Sequence, residues 1–337
     1  MRRGFGLADG VVAVVVVALL WCVIVVTGAQ RRGTGSQGES LNNLRQIGAI
    51  TSSYGADYQD RMWGFSWRPS VPVVSQWADI RLHATQDALT AGAAQAIDLI
   101  RRRTNDPTFP IPSNWVPHIF YSHLVLADYL GSELPMSPFV SPGDRNRRRW
   151  SENVAAFRAN QLTPQPDAND PNNWRWPYGS SYELPPAFYA ADARTTTTGT
   201  ITQATGHDQF QLVTANDGSQ PLMGGRLLTE VRYPADKVLM YESAQWQGAR
   251  DGVFFMFEHA RVPLLMVDGS AGVRVTSDTN PGWDPVYPAS LPPMSTTYRP
   301  SAWEAPAATG ASVLVHYRFT RWGLRGRDIN GQEATGP

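Results

Sequence analysis

Hydrophobic and polar positions fall into three regimes along the chain. Between Gly10 and Gln30 there is no charged residue in 21 positions, and Val11 to Val26 is apolar throughout. A helix of about 20 residues crosses a hydrocarbon core of roughly 30 Å, so the pattern predicts a transmembrane helix over 5–30. A soluble helix would show a polar stripe, and none occurs before Thr27. A secretory signal peptide shares the basic start, but its apolar centre is usually about 7–15 residues. Thr27-Gly28-Ala29 keeps cleavage there open as an alternative. Arg2 and Arg3 face Arg31 and Arg32 across the segment, so positive charge does not orient it.

The second regime is helical. Arg31 to Ser40 holds three glycines and two serines and reads as a linker over 31–40, with Ser40 able to cap a new helix. Leu41, Leu44, Ile47, Ile50 or Thr51, Tyr54 and Tyr58 then recur every three or four residues, which predicts an amphipathic helix. A second helix is expected from Ser75 to Arg103, and a third from His118 to Leu130, stopped by Gly131. From Pro135 to about Gly206 the chain is punctuated by Pro, Asn, Asp and Gly, and "TTTTGT" at Thr195 reads as a loop or edge turn.

The last third reads as antiparallel sheet. "KVLMYES", "GVFFMFEHA", "VPLLMVDG", "GVRVTS" and "ASVLVHYRFTRW" are β-rich runs, and Asp268-Gly269 between two of them is a hairpin-turn signal. The fold class expected is α+β: an N-terminal transmembrane or stalk helix, then an antiparallel-sheet head over 41–337 with large helical and loop insertions.

Composition removes several functions. There are 29 basic and 29 acidic residues, so formal charge is zero, and nothing suggests a nucleic-acid partner. The run Arg145 to Arg149 reads as a solvated, locally paired face. Trp-rich "PNNWRWPYG" could stack sugars, but more simply glues loops to the core. Lys237 is the only lysine and Cys22 the only cysteine, which rules out an internal disulfide or a thiolate cluster. No cofactor is expected.

Asp9 stands at the edge of the apolar run. At headgroup level it would favour the positive end of a helix dipole. The order around it is more specific: a basic leader, Gly4-Phe5, an acid four places after Phe5, then the apolar run. This arrangement resembles the N-terminus of type IV prepilins and type II secretion pseudopilins. The resemblance implies that a prepilin peptidase cuts between Gly4 and Phe5 (residues 1–4 being the leader), and that Asp9 of one subunit neutralises the new Phe5 amine of a neighbour in the membrane. The usual acid in the family is Glu, and Gly6 and Ala8 replace bulkier residues.

Further segments extend the likeness. "LNNLRQIGAITSSYGADYQDRM" from Leu41, "FVSPGD" at Phe139, "YPADKVLMYES" at Tyr233 and "YRFTRWGLRGRD" at Tyr317 are similar to blocks of a large bacterial group of prepilin-type proteins. That group carries His, nine residues, then Asp-Gly near its C-terminus; here His259 is followed by eight residues and Asp268-Gly269. Ser141 stands where the group has Cys. The resemblance implies an inner-membrane, single-pass protein with its head outside the cytoplasm, whose partners are prepilin peptidase and other pilin-like subunits.

His259 and Asp268 invite a metal or general-base reading, with Glu258 and His316 as helpers. No HExxH, GxSxG, GxGxxG or P-loop pattern accompanies them. If Asp268 turns the hairpin, His259 most simply hydrogen-bonds near that turn, as structure and not chemistry. Asp251, Asp268 and Asp278 lack the ligand spacing of a calcium site. The expected function is a structural subunit of a secretion or pilus-like apparatus, without catalysis. A surface protein whose head binds a glycan or polypeptide is the alternative, and an anchored hydrolase comes third.

Overall fold

The computed structural model describes residues 35–331 except 70, 113–114, 167–172, 191–199, 208–209, 217–222, 248–251, 286, 290, 301–302 and 305–309. Gly4, Phe5, Asp9 and the apolar run Gly10 to Gln30 lie outside the described residues, as does Asp251.

The first helix, α1 (Ser36–Asp57), is 22 residues long. It starts inside the expected linker, with Gly35 at its N-cap and no capping side chain. Ser40 is therefore not a cap: it lies within the helix, fully buried, with its hydroxyl turned to the sheet. The buried stripe Ser40, Leu44, Ile47, Gly48 and Thr51 follows the three-to-four spacing that makes one apolar face.

The expected second helix is two, α2 (Ala78–His83) and α3 (Ala88–Thr104). Asp87 breaks the run by capping α3. Its Oδ1 accepts from Thr90 N–H at 2.8 Å, and Thr90 Oγ1 accepts from Asp87 N–H at 2.9 Å, a reciprocal box that satisfies two otherwise free donors. The third helix is likewise divided, into α4 (His118–Tyr121) and α5 (Leu124–Leu130), and Gly131 ends it at φ +63°. The Arg145 run forms α6 (Arg145–Glu152), capped by Asp144, and α7 (Val154–Arg158) follows.

Ten strands are described. Tyr182–Glu183 (β1), Val238–Glu242 (β4), Arg261–Met266 (β7) and Ala271–Val275 (β8) make one antiparallel sheet in the order β1-β4-β7-β8. Three two-stranded pairs surround it: β2 (Thr200–His207) with β3 (Phe210–Asn216), β5 (Ala244–Gln245) with β6 (Val253–Phe254), and β9 (Ser295–Thr297) with β10 (Ser312–Leu314). All of β4 is buried, as expected of a strand covered on both faces. One face takes α1, which packs on β7 and β8. The other receives the C-terminal segment around Arg318. The strand expected from Ala311 stops after Leu314, because Tyr317–Phe319 turns as a short 3-10 helix into the main core.

Helix and sheet are thus mixed, but the expected fold class needs correction at its N-terminal element. Among the described residues no helix is long and apolar enough to cross a membrane. The longest, α1, has the length, yet Asn42, Asn43, Arg45 and Gln46 give it a polar face, which lipid would not satisfy. Single-pass placement in the inner membrane is accordingly not supported.

Candidate functional site

The segments that carried the sequence resemblance meet one another on the sheet. Tyr182 of β1 pairs with Glu242 of β4, and next to them Glu183 pairs with Tyr241. Successive strand residues point to opposite faces, so each face of the β1–β4 pair receives one tyrosine and one glutamate.

On the α1 face, Ser40 Oγ donates to Glu242 Oε1 at 3.2 Å and contacts Tyr182 Oη at 2.9 Å. A hydroxyl has one proton, so the order is Tyr182 to Ser40 to Glu242. Ser141 donates to the same carboxylate oxygen, and Gln247 Nε2 donates at 3.3 Å. Glu242 Oε2 has no partner among the described residues. Burial pushes the Glu242 carboxyl up to about 8, against these hydrogen bonds, with Asp144 adding repulsion. The shift favours the protonated acid, and the contacts the group makes are hydrogen bonds that join α1, the "FVSPGD" segment and β4. The same segment ends in Asp144, whose Oδ1 accepts from Arg147 N–H at 3.0 Å and whose Oδ2 accepts from Ser181 Oγ at 2.9 Å.

On the opposite face, Tyr241 Oη donates to Glu183 Oε2 at 2.5 Å, Arg318 Nε donates to Tyr241 Oη at 3.1 Å, and Arg318 also pairs with Glu183. Arg318 belongs to "YRFTRWGLRGRD", so this node ties that block to β1 and β4.

The hairpin residues lie further along. Gly269 has φ +86°, which favours glycine. Asp268 Oδ1 accepts from Ser270 N–H at 2.8 Å and from its hydroxyl at 2.6 Å, an Asx-type turn. A Cβ on Gly48 of α1 would stand 3.5 Å from the Gly269 Cα and 3.1 Å from Leu265 Cδ1. The "LRQIG" glycine and the Asp-Gly glycine are therefore in contact. His259 does not join Asp268: the two flank β7 at opposite ends, and His259 is exposed with its ring 5.9 Å from Phe257. The expected hydrogen bond between His259 and the turn is absent among the described residues. His316 lies elsewhere, its Nδ1 3.0 Å from Thr279 Oγ1, and Glu258 is exposed.

Sequence reasoning missed Ser40, Ser141, Tyr182 and Glu242 as a group. The quoted "FVSPGD" and "YES" segments were the available signal, but nothing linear connects residues 101 positions apart. No group of three or more His, Cys, Asp or Glu that could hold a metal occurs among the described residues. In comparisons with known proteins, no family model, no curated protein and no solved structure matches the chain.

Proposed function

We propose that this protein is a pilin-like or pseudopilin-like structural subunit of a type II secretion or type IV pilus-like apparatus, acting by assembly and partner contact without catalysis. Prepilin peptidase removes residues 1–4, and Asp9 of one subunit neutralises the Phe5 amine of its neighbour. The observation that supports this reading most is the convergence of the family-like segments. The leading helix with "LRQIG" lies on an antiparallel sheet and meets "FVSPGD" and "YES" through Ser40, Ser141 and Glu242, and the Asp-Gly turn through Gly48. Intact-mass measurement of the mature protein, from cells with an active peptidase, is the test. A chain beginning at Phe5 is expected, and Gly4→Leu should abolish the cut. An uncut wild-type chain would overturn the proposal.

A further inference from the structure

An open groove taking in about 1300 Å³ runs between the C-terminal end of α1, one face of α3 and the end of α5. One wall is aromatic. Tyr54 and Tyr58 stack with ring centroids 4.4 Å apart and 23° between planes, and Tyr129 meets them edge-on at 5.3 and 6.0 Å. Tyr58 is 45% exposed, so apolar ring surface faces the groove, and Trp67 lines it as well.

The wall made by α3 presents hydrogen-bonding groups. Gln95 and Asp98 are three residues apart and share one helix face. Gln95 Oε1 accepts from the backbone N–H groups of Ser66 at 2.7 Å and Trp67 at 3.0 Å. This locks the amide and leaves its NH₂ as an uncommitted donor. Asp98 is 2% exposed. Its Oδ2 accepts from Arg102 Nε at 2.8 Å, while its Oδ1 has no partner among the described residues. A buried acceptor left empty is costly; this one is closed to solvent beneath the groove wall, and the groove-facing polar group of α3 is the Gln95 amide.

The charges select the ligand. Arg102 holds Asp98 and also grips Asp128 at 2.9 and 2.6 Å, with Arg103 adding a third contact to Asp128 at 2.8 Å. The carboxylates are already offset by guanidinium groups, so a cationic ligand finds little free charge. A neutral hydroxyl needs only the Gln95 amide donor. Stacked rings beside a fixed donor match a molecule that has an apolar C–H face and hydroxyls at its rim.

We infer that this groove binds a neutral oligosaccharide, with Tyr58 stacking on a sugar face and the Gln95 amide donating to a sugar hydroxyl. The inference goes beyond the assembly role and does not depend on it, since a chain that is never cleaved at Gly4 would bind equally.

The test is calorimetric titration of the full chain with chitotetraose, cellotetraose and mannotetraose, and separately with a hexa-arginine peptide. Saturable binding of at least one tetrasaccharide is expected, with Tyr58→Ala and Gln95→Ala each weakening it about tenfold or more. Val74 is 93% exposed at the groove, so Val74→Arg should block entry without disturbing packing, and its thermal midpoint should match wild type. The inference is overturned if no tetrasaccharide binds saturably up to about 10 mM, if all three variants bind as wild type, or if only the peptide binds.

Discussion

Lys237 Nζ lies 3.0 Å from Asp328 Oδ2, and both side chains are withdrawn from solvent. Asp328 also accepts from Val238 N–H at 2.8 Å and from Thr320 Oγ1 at 2.5 Å, while Lys237 donates to Thr320 as well. The only lysine of the chain thus fastens "YPADK" to "RGRD" at the start of β4. Breaking a buried pair from one side leaves an uncompensated charge and typically costs about 3–5 kcal/mol, whereas apolar replacement of both partners is often neutral. Asp328→Ala should accordingly lower unfolding free energy by about 3–5 kcal/mol in urea titrations. Lys237→Met combined with Asp328→Leu should cost less than either single change. A double variant as damaged as the sum of the two would argue against the pairing.

The same burial has a chemical consequence. Lys237 is the one side-chain amine in the sequence and is 0% exposed. Acylation with an amine-reactive ester, followed by peptide mass spectrometry, should leave Lys237 unmodified in the folded protein and modify it fully in denaturant. Rapid labelling under native conditions would contradict the packing around β4.

Stability should fall with rising pH through Glu242. Its carboxyl is pushed up to about 8 by burial, against about 4.3 for a free glutamate. Between these values the folded state holds a proton that the unfolded state has lost. The stabilisation is therefore complete below about pH 4.3 and is lost as pH rises through 8, with a slope of up to about 1.4 kcal/mol per pH unit. Glu242→Gln keeps the shape without the ionisation, so urea midpoints between pH 5 and 9 should lose this slope. An unchanged slope would mean that Glu242 is ionised in the fold.

What the sequence showed and what it hid separate along physical lines. The stripe Leu44, Ile47 and Thr51 was legible because one helix face repeats every three to four residues, and all three are buried. The turn at Asp268-Gly269 was legible because a local backbone requirement selects those residues. The break at Asp87 was not, since Ala84 and Ala88 on either side continue an apolar period and only the Thr90 contact reveals the cap. The Glu242 node was hidden for a different reason: its members come from four segments and meet only when β1 pairs with β4. Nearness in sequence misled for His259 and Asp268, because a strand carries its two ends apart by about 3.3 Å per residue.

That separation makes the hairpin variants informative. Asp268 is exposed, so Asp268→Ala loses one turn hydrogen-bond acceptor and should cost at most about 1 kcal/mol. His259→Ala should fall within about 0.5 kcal/mol of wild type, as surface changes usually do. Gly269→Ala meets no atom within 4 Å, so its cost is purely that of φ +86° and should reach about 1–2 kcal/mol. Thermal unfolding of the three variants checks the ranking, and a His259→Ala loss exceeding that of Gly269→Ala would reverse it.

Gly48 tests the seating of α1 most directly. Glycine inside a helix is worse than alanine by about 1 kcal/mol, so replacement by alanine would stabilise an isolated helix. Here the new Cβ would approach Leu265 Cδ1 at 3.1 Å, and Leu265 is fully buried, with little room to withdraw. Propensity gain and crowding oppose each other, and Gly48→Ala should end near neutral. Gly48→Val adds two further methyls against the hairpin and should destabilise by about 1–3 kcal/mol. Leu265→Ala alone should cost about 2–5 kcal/mol by leaving a cavity. Combined with Gly48→Val it should cost less than the sum, since the added methyls enter the space that the leucine vacates. Strict additivity in the double-mutant cycle would mean that α1 does not rest on the β7–β8 hairpin at this point.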